Sequence, residues 1–286
     1  MFAIIGFAVV ISSVIGGYMA QGGHLNVLWQ PFEILIIIGA AVGATLIGNP
    51  KQVTIGIAKN LGLVVKGSRF SKNSYLELLA MLYAIFKLAK TKGDLALESH
   101  VEKPEESTLF TKFPTFSHDH HLLLYLCDYL RLLTLGTNNA HELETIIDQE
   151  IEAHHNELHA ISGAVTNMAD AMPALGIVAA VLGVIHTMGS ITEPPEVLGH
   201  LIGGALVGTF MGVLLSYGFI APIGRSLELT FNAETQYLQC IKAGLLAHMQ
   251  GYAPQVSIEF ARKILTSNVR PTFQEVEQFL QSAPTE

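Results

Sequence analysis

Hydrophobic and polar positions along this chain follow two regimes. In four stretches, Phe2–Tyr18, Phe32–Gly48, Met172–Met188 and Leu198–Ile223, apolar residues run on with no Asp, Glu, Lys or Arg at the centre. Each stretch is long enough to cross a hydrocarbon core of ~30 Å as a helix. Glu33, His186 and His200 fall at the ends of these stretches, where a polar head is expected to reach water. Between and after them the apolar residues return at helical spacing. Ser74, with Glu77 three residues on, has the spacing of a capping box and opens a run bearing Leu78, Leu82, Ile85, Phe86 and Ala89 that stops near Gly93. A turn-rich stretch passes through Pro104 and Pro114. A second amphipathic helix is expected from Asp119 to Leu135, ending at Gly136. Asn139, with Glu142 three residues on, caps a long acidic helix that continues into the third apolar stretch, because no breaker intervenes before Pro173. The tail predicts helices over Arg225–Gln250 and Gln255–Leu265 and another after Pro271, with a break from Gly251 to Pro254. No strand-like alternation and no internal repeat stand out, so the expected class is all-α.

Composition says where this fold lives. Half of the residues are hydrophobic and 14% are charged, with a mean hydropathy of +0.42. Soluble domains carry about 25% charged residues, so much of this surface faces something other than water. Lys and Arg set the orientation. Eleven of the 16 lie from Lys51 to Arg131 and the other five from Arg225 to Arg270. The loops at 20–31 and 189–197 carry none, and the positive-inside rule places them outside the cell. Both termini are then cytoplasmic, in a multi-pass membrane protein. The expected segments are transmembrane helices 1 and 2 at 1–50 and a cytoplasmic helical domain at 51–170. Transmembrane helices 3 and 4 follow at 171–223, then a cytoplasmic helical tail at 224–286. Residues 1–20 lack a basic leader region and a cleavage site, and read as a retained span. The net charge of −8 speaks against nucleic acid, which needs clustered cations. Cys127 and Cys240 read as buried, reduced thiols.

Candidate chemistry is sparse. Gly204, Gly208 and Gly212 recur every four residues, as do Gly39 and Gly43, a spacing that lets another backbone approach. Pro173 and Pro222 fall near the same end of the third and fourth spans. Each either kinks a helix or occupies a tolerated terminal position, and spacing alone leaves both readings open. Thr187, Thr209, Ser216 and Tyr217 are the polar groups expected to face the interior of these spans. An ion-moving machine usually holds an ionisable group inside the membrane, and none is found at a span centre here. Either the chain moves no ions or a second protein brings the carboxylate. The histidines at 118, 120 and 121 and at 154, 155 and 159 do not match a zinc-protease spacing and read as solvated helix surface. No phosphate loop, dinucleotide fingerprint or nucleophile elbow is present, so neither an enzyme nor a bound cofactor is expected.

Several runs resemble the MotA family of flagellar stator subunits, within the wider MotA/TolQ/ExbB superfamily. They are DAMPALGIVAAVLGVIH at 170–186, LVGTFMGVLLSYGFIAP at 206–222, GYAP at 251–254, EFARK at 259–263, RPTF at 270–273, GGY at 16–18 and QPFE at 30–33. The resemblance covers essentially the whole chain. It implies five such subunits in the lipid membrane around two copies of MotB, whose single spans carry the ion-binding aspartate and whose periplasmic domains grip peptidoglycan. Ion flow would then drive rotation, and cytoplasmic charges would engage the rotor protein FliG. By position, Pro173 and Pro222 resemble the prolines that couple ion flow to motion, and Thr209 the threonine beside the aspartate. Ala180 and Tyr217 are placed on the same ion path. Glu98 and Lys90 resemble the rotor-facing charges, with Lys where relatives often carry Arg, so the charge is kept and the planar fork lost. Sodium-driven relatives carry a threonine at the position of Ala180. A methyl group cannot ligate sodium, so a proton is the expected ion. The rival readings are an ExbB- or TolQ-type energiser, which resembles a three-span protein with an outside N-terminus, and a passive membrane scaffold.

Overall fold

The structure, a computed structural model, describes residues 2–136 and 139–282. The outermost residues of the first and last expected segments, 1 and 283–286, lie outside the described residues. Every described regular element is helical. In chain order the α-helices are α1 (Phe2–Ala20), α2 (Leu25–Leu28), α3 (Pro31–Gly48), α4 (Lys51–Lys66), α5 (Lys72–Lys92), α6 (Glu98–Glu102), α7 (Pro114–Ser117) and α8 (His120–Thr134). The remaining helices are α9 (Ala140–Met188), α10 (Pro195–Leu215), α11 (Ala221–Met249), α12 (Pro254–Lys263) and α13 (Phe273–Ser282). Two compact units result. The first holds the residues up to Gly67 together with Asn156–Phe231, and the second holds Ser68–His155 together with the residues from Asn232 on. The helices α9 and α11 each contribute to both.

The first unit inverts the usual rule of burial. Among the described residues, four helical stretches are long and apolar enough to cross a membrane: Phe2–Ala20, Leu25–Gly48, Ala140–Met188 and Pro195–Met249. The helix α1 buries none of its 19 residues, and Leu35, Leu46, Ile185 and Leu206 stand exposed on the other spans. In water such a surface would be a very large apolar patch; against lipid chains it costs nothing. What is buried is small: Ile37, Ala41, Met172 and Ala179 form one cluster, and Val64, Val165, Leu227 and Phe231 another. The ring of Phe7 stacks on Phe219 at 5.6 Å. The loop expected at residues 20–31 contains the short helix α2.

The second unit has a conventional buried helical core. Tyr75, Leu78, Leu79, Leu82, Ile85 and Phe86 of α5 pack with Leu122, Leu126 and Leu130 of α8 and with Tyr237, Ile241 and Leu245 of α11. The cap of α5 differs from the expectation at Ser74. Ser71 is the N-cap, accepting from the Ser74 amide at 3.3 Å, while the Ser74 hydroxyl accepts from the Ser71 amide at 3.2 Å. Two serines three residues apart close the box, and Glu77 instead accepts from the Thr115 amide at 2.7 Å. The helix stops at Gly93, whose φ of 85° suits glycine. Asp119, expected as the first residue of α8, is instead its N-cap through the Leu122 amide, and Asn139 accepts from the amides of His141 and Glu142 at the start of α9, as expected. Lys242 joins α11 to α9 by reaching Asp148 at 2.7 Å and Glu144 at 3.4 Å. At the far end Thr272 and Glu275 form a capping box for α13, with Glu275 also paired to Lys72 at 2.7 Å. Both cysteines are free and buried. Burial pushes the Cys127 thiol up to about 12, with Asp128 adding to the rise.

Candidate functional site

The site begins with missing side chains. On α9 and α10, glycines bring the two backbones into contact. A methyl group added at Gly212 would lie 2.7 Å from the Met172 carbonyl oxygen and 2.8 Å from the Gly176 Cα. One added at Gly176 would lie 2.8 Å from the Gly208 carbonyl oxygen, and one at Gly183 would lie 2.8 Å from the Ala205 Cβ. Gly208 and Gly212 of the stripe therefore form a true seam with α9, while Gly204 lies against the Gln30 side chain. The pair Gly39 and Gly43 is not one within this chain: added methyl groups there would meet nothing within 4 Å.

Into this seam α3 sends a carboxylate. The position of a methyl at Gly208 lies 3.3 Å from Glu33 Oε2, and that at Gly183 lies 3.5 Å from Oε1. Glu33 Oε2 is inaccessible and has no hydrogen-bond partner among the described residues. Glu33, expected at a span end to extend to water, is thus half-buried with one of its two carboxylate oxygens enclosed. Pro31 starts α3 and Glu33 falls in its first turn, so the side chain lies against the neighbouring helices, where two glycines leave it room. Gln30 approaches the same stripe, 2.7 Å from the methyl position at Gly204.

Ala180 lies at this spot. Its amide nitrogen is 3.0 Å from the methyl position at Gly208, and the residue is buried. Thr209 follows Gly208 in sequence and is half-buried. The structure thus brings Ala180, Gly208 and Glu33 together. Thr187 is buried and donates to the Gly183 carbonyl within its own helix at 2.9 Å. Ser216 is fully buried, and its hydroxyl finds no partner among the described residues. Tyr217 departs from the expectation of an inward-facing group: it is 64% exposed on the outer surface of the chain.

The two prolines resolve in favour of helix interiors. Pro173 sits within the 49-residue α9, three residues before the Gly176 contact with Gly212. Pro222 is the second residue of α11, but the chain remains helical through it, because a π-turn over Ser216–Ile220 links α10 to α11. The Ala221 amide donates to the Ser216 carbonyl, five residues back. A proline supplies no amide, so each of these helices passes a point where one ladder bond is missing. The terminal, tolerated reading of both prolines is excluded. Pro222 also borders an apolar cleft of about 510 Å³ with Phe2, Phe7, Val10, Val64 and Gly218. The π-turn has no local sequence signature and was not anticipated.

The rotor-facing candidates belong to the second unit. Lys90 lies in the last turn of α5, exposed, with its ammonium donating to the Gly251 carbonyl at 3.4 Å. Glu98 is the first residue of α6 and is exposed. Of the histidines, His118 bonds the Pro114 carbonyl and His155 the Thr235 hydroxyl. His121 and His154, distant in sequence, stack on each other at 4.6 Å beside Glu234. They do not read as independent solvated side chains.

Comparison with known proteins gives the family. Residues 4–93 match the Motility protein A N-terminal family, and residues 124–240 match the MotA/TolQ/ExbB proton channel family. The chain is 41% identical to Motility protein A of Salmonella typhimurium, over 99% of this chain and 96% of the relative. It is 37% identical to the chemotaxis protein LafT of Vibrio parahaemolyticus, over 96% of this chain and 97% of the relative. Among solved structures, the flagellar MotAB stator complex from Bacillus subtilis superposes with a TM-score of 0.72 at 25% identity, covering 90% of this chain and 92% of that one. The C. jejuni MotAB structure gives 0.77 at 20% identity, covering 93% and 96%. With its four apolar helices, its glycine seam and near full-length identity above 40%, the chain belongs to the Motility protein A family.

Proposed function

We propose that this chain is the membrane subunit of a flagellar stator that, with a MotB-type single-span partner, forms a proton channel and converts ion flow into torque on the rotor. The observation that carries the mechanism is the pair of helices α9 and α11. Each runs unbroken from the apolar unit into the polar one and contains a proline beside a glycine contact or a π-turn. Such a helix is stiff along its length and weak at one point, which suits it to carry a displacement from the seam into the second unit.

In this reading the partner supplies the titrating aspartate, and the Ala180, Gly208 and Thr209 region of the seam adjoins the ion path. The half-buried Glu33 is a further carboxylate of that path. Ala180 offers only a methyl group, which suits proton rather than sodium passage. One charge crossing the membrane releases ~2.3 kcal/mol per 100 mV. That is comparable to rearranging a few helix contacts, so a single ion can bias a step. Tyr217 and Pro222, exposed on this chain, would face neighbouring subunits of a ring, for which we adopt five copies around two partners. The Lys and Arg distribution supports cytoplasmic termini and a cytoplasmic second unit, with Lys90 and Glu98 presented to a FliG-type rotor protein, and the membrane is the bacterial inner membrane.

The test is complementation of a strain lacking its own stators. Expression of this chain together with a MotB-type partner should restore swimming, and neither alone should do so. Failure of the pair to restore motility while co-purifying as a membrane complex would contradict the assignment and favour a passive scaffold.

A further inference from the structure

We propose that His121, His154 and Glu234 form a binding site for a divalent transition-metal cation, zinc foremost, in the second unit. Three helices supply the ligands: His121 from the first turn of α8, His154 from α9 and Glu234 from α11. One ligand atom from each lies within 4.8 Å of the other two. His154 Nε2 is 3.1 Å from Glu234 Oε1, and the two imidazoles stack 24° from parallel with centroids 4.6 Å apart. Two imidazoles and a carboxylate are a zinc ligand set, with bonds of ~2.0–2.2 Å to a tetrahedral ion. Donors in such a shell stand roughly 3.3 Å apart by that geometry. The His154–Glu234 pair is already at this separation, and His121, exposed at the rim, is free to rotate the remaining distance.

The surroundings suit a cation. Glu234 Oε2 lies 3.5 Å from the Arg69 guanidinium, which in turn pairs with Asp119 at 2.5 Å. Two carboxylates against one guanidinium leave the pocket one negative charge around two imidazoles, before any ion arrives. Arg69 orients the carboxylate through its second oxygen, the role an outer-shell partner plays at metal centres. His154 and Glu234 are mostly buried, with side chains 19% and 17% exposed, whereas His121 opens to solvent and leaves an entry path and room for a water as fourth ligand. His155 is engaged with Thr235 and lies outside the set. A bound ion would fasten α8, α9 and α11 to one another within the same unit.

The experiment uses the complex of this chain with its MotB-type partner, purified without a polyhistidine tag and stripped with chelator. Titration calorimetry with Zn²⁺ should give one ion per copy of this chain. His121→Ala and His154→Ala should each weaken binding by at least the ~10–100-fold that losing a mere outer-shell partner costs. Cobalt(II) in place of zinc should give the strong visible bands of a four-coordinate ion in the wild type and not in His121→Ala. His121→Ala replaces an exposed side chain, and its metal-free melting temperature should match the wild type. Zinc uptake that is absent, or unchanged in His121→Ala, would overturn the site. So would a His121→Ala variant that loses metal-free stability while the wild type gives no cobalt bands, for then the stacked ring serves packing alone.

Discussion

At Gly212 and Gly39 the same residue type sits in the same kind of apolar helix, and the surroundings decide what a methyl group would do. At 212 it would strike the backbone of α9 at 2.7 Å, whereas at 39 it would meet no atom of the chain. Neither a carbonyl oxygen nor a Cα of a packed helix can rotate away, so Gly212→Ala is expected to destabilise the protein by about 1–3 kcal/mol as overpacking. Gly39→Ala is expected to leave the isolated subunit unchanged, and comparative thermal unfolding in detergent measures both. Spacing could not separate the two stripes, because both are small residues four apart and only the neighbour differs. Glu33 teaches a similar lesson. Its place at a span end was legible, but its lodging against Gly183 and Gly208 depends on three helices meeting. Thr272 and Glu275, a Thr-x-x-Glu pair at the start of α13, carry a legible capping-box spacing beside Pro271. The Lys72 hydrogen bond, with help from Thr272, holds the Glu275 carboxyl down to about 2. Its folded value is depressed below the usual 4.5, so its contribution is present above that value and is lost as pH falls from 4.5 through about 2. Amide exchange in α13, corrected for the intrinsic pH dependence, should therefore rise over that window. In Glu275→Gln it should already be raised at neutral pH and lack that step.

On the scale of elements, hydrophobic periodicity located most of the long helices within a few residues of their ends. It also anticipated that the acidic helix from Asn139 would run on into the third span. What it missed were one longer helix, α4 (Lys51–Lys66), the short pieces α2, α6 and α7, and the π-turn before Pro222. The short segments are held by tertiary contacts rather than by propensity, so a periodic pattern carries no trace of them. The π-turn gives Pro222 its setting: with the register shifted by one residue just before a position that cannot donate, the helix crosses the proline without ending. Replacing Pro222 by Ala should supply the missing amide and let the ladder close. We expect Pro222→Ala and Pro173→Ala to assemble with the partner at wild-type yield while torque falls by an order of magnitude or more. Co-purification and the rotation speed of tethered cells report the two properties separately, and normal torque in either variant would remove that proline from the coupling role. The proposed rotor contact of Lys90 is tested by Lys90→Glu, which should impair swimming more than Lys90→Arg, because only the first reverses the sign.

The molecule as a whole joins an apolar unit whose exposed faces suit lipid to a polar unit with a conventional core, and two helices belong to both. Class and membrane character were legible from composition and pattern alone, since 50% hydrophobic and 14% charged residues leave few alternatives for an all-helical chain of this size. The seam and the joining of His121 to His154 were not, because they depend on which helix faces lie together. The account rests on one division of labour: this chain provides the path and the lever, and another polypeptide provides the principal titrating acid. Motor rotation in a stator-less strain tests it most directly, with this chain expressed alone and with a MotB-type partner, in media with and without sodium and with a protonophore. Rotation is expected only with the partner, independent of sodium and abolished by the protonophore. Rotation by this chain alone, or rotation that requires sodium and survives the protonophore, would contradict it.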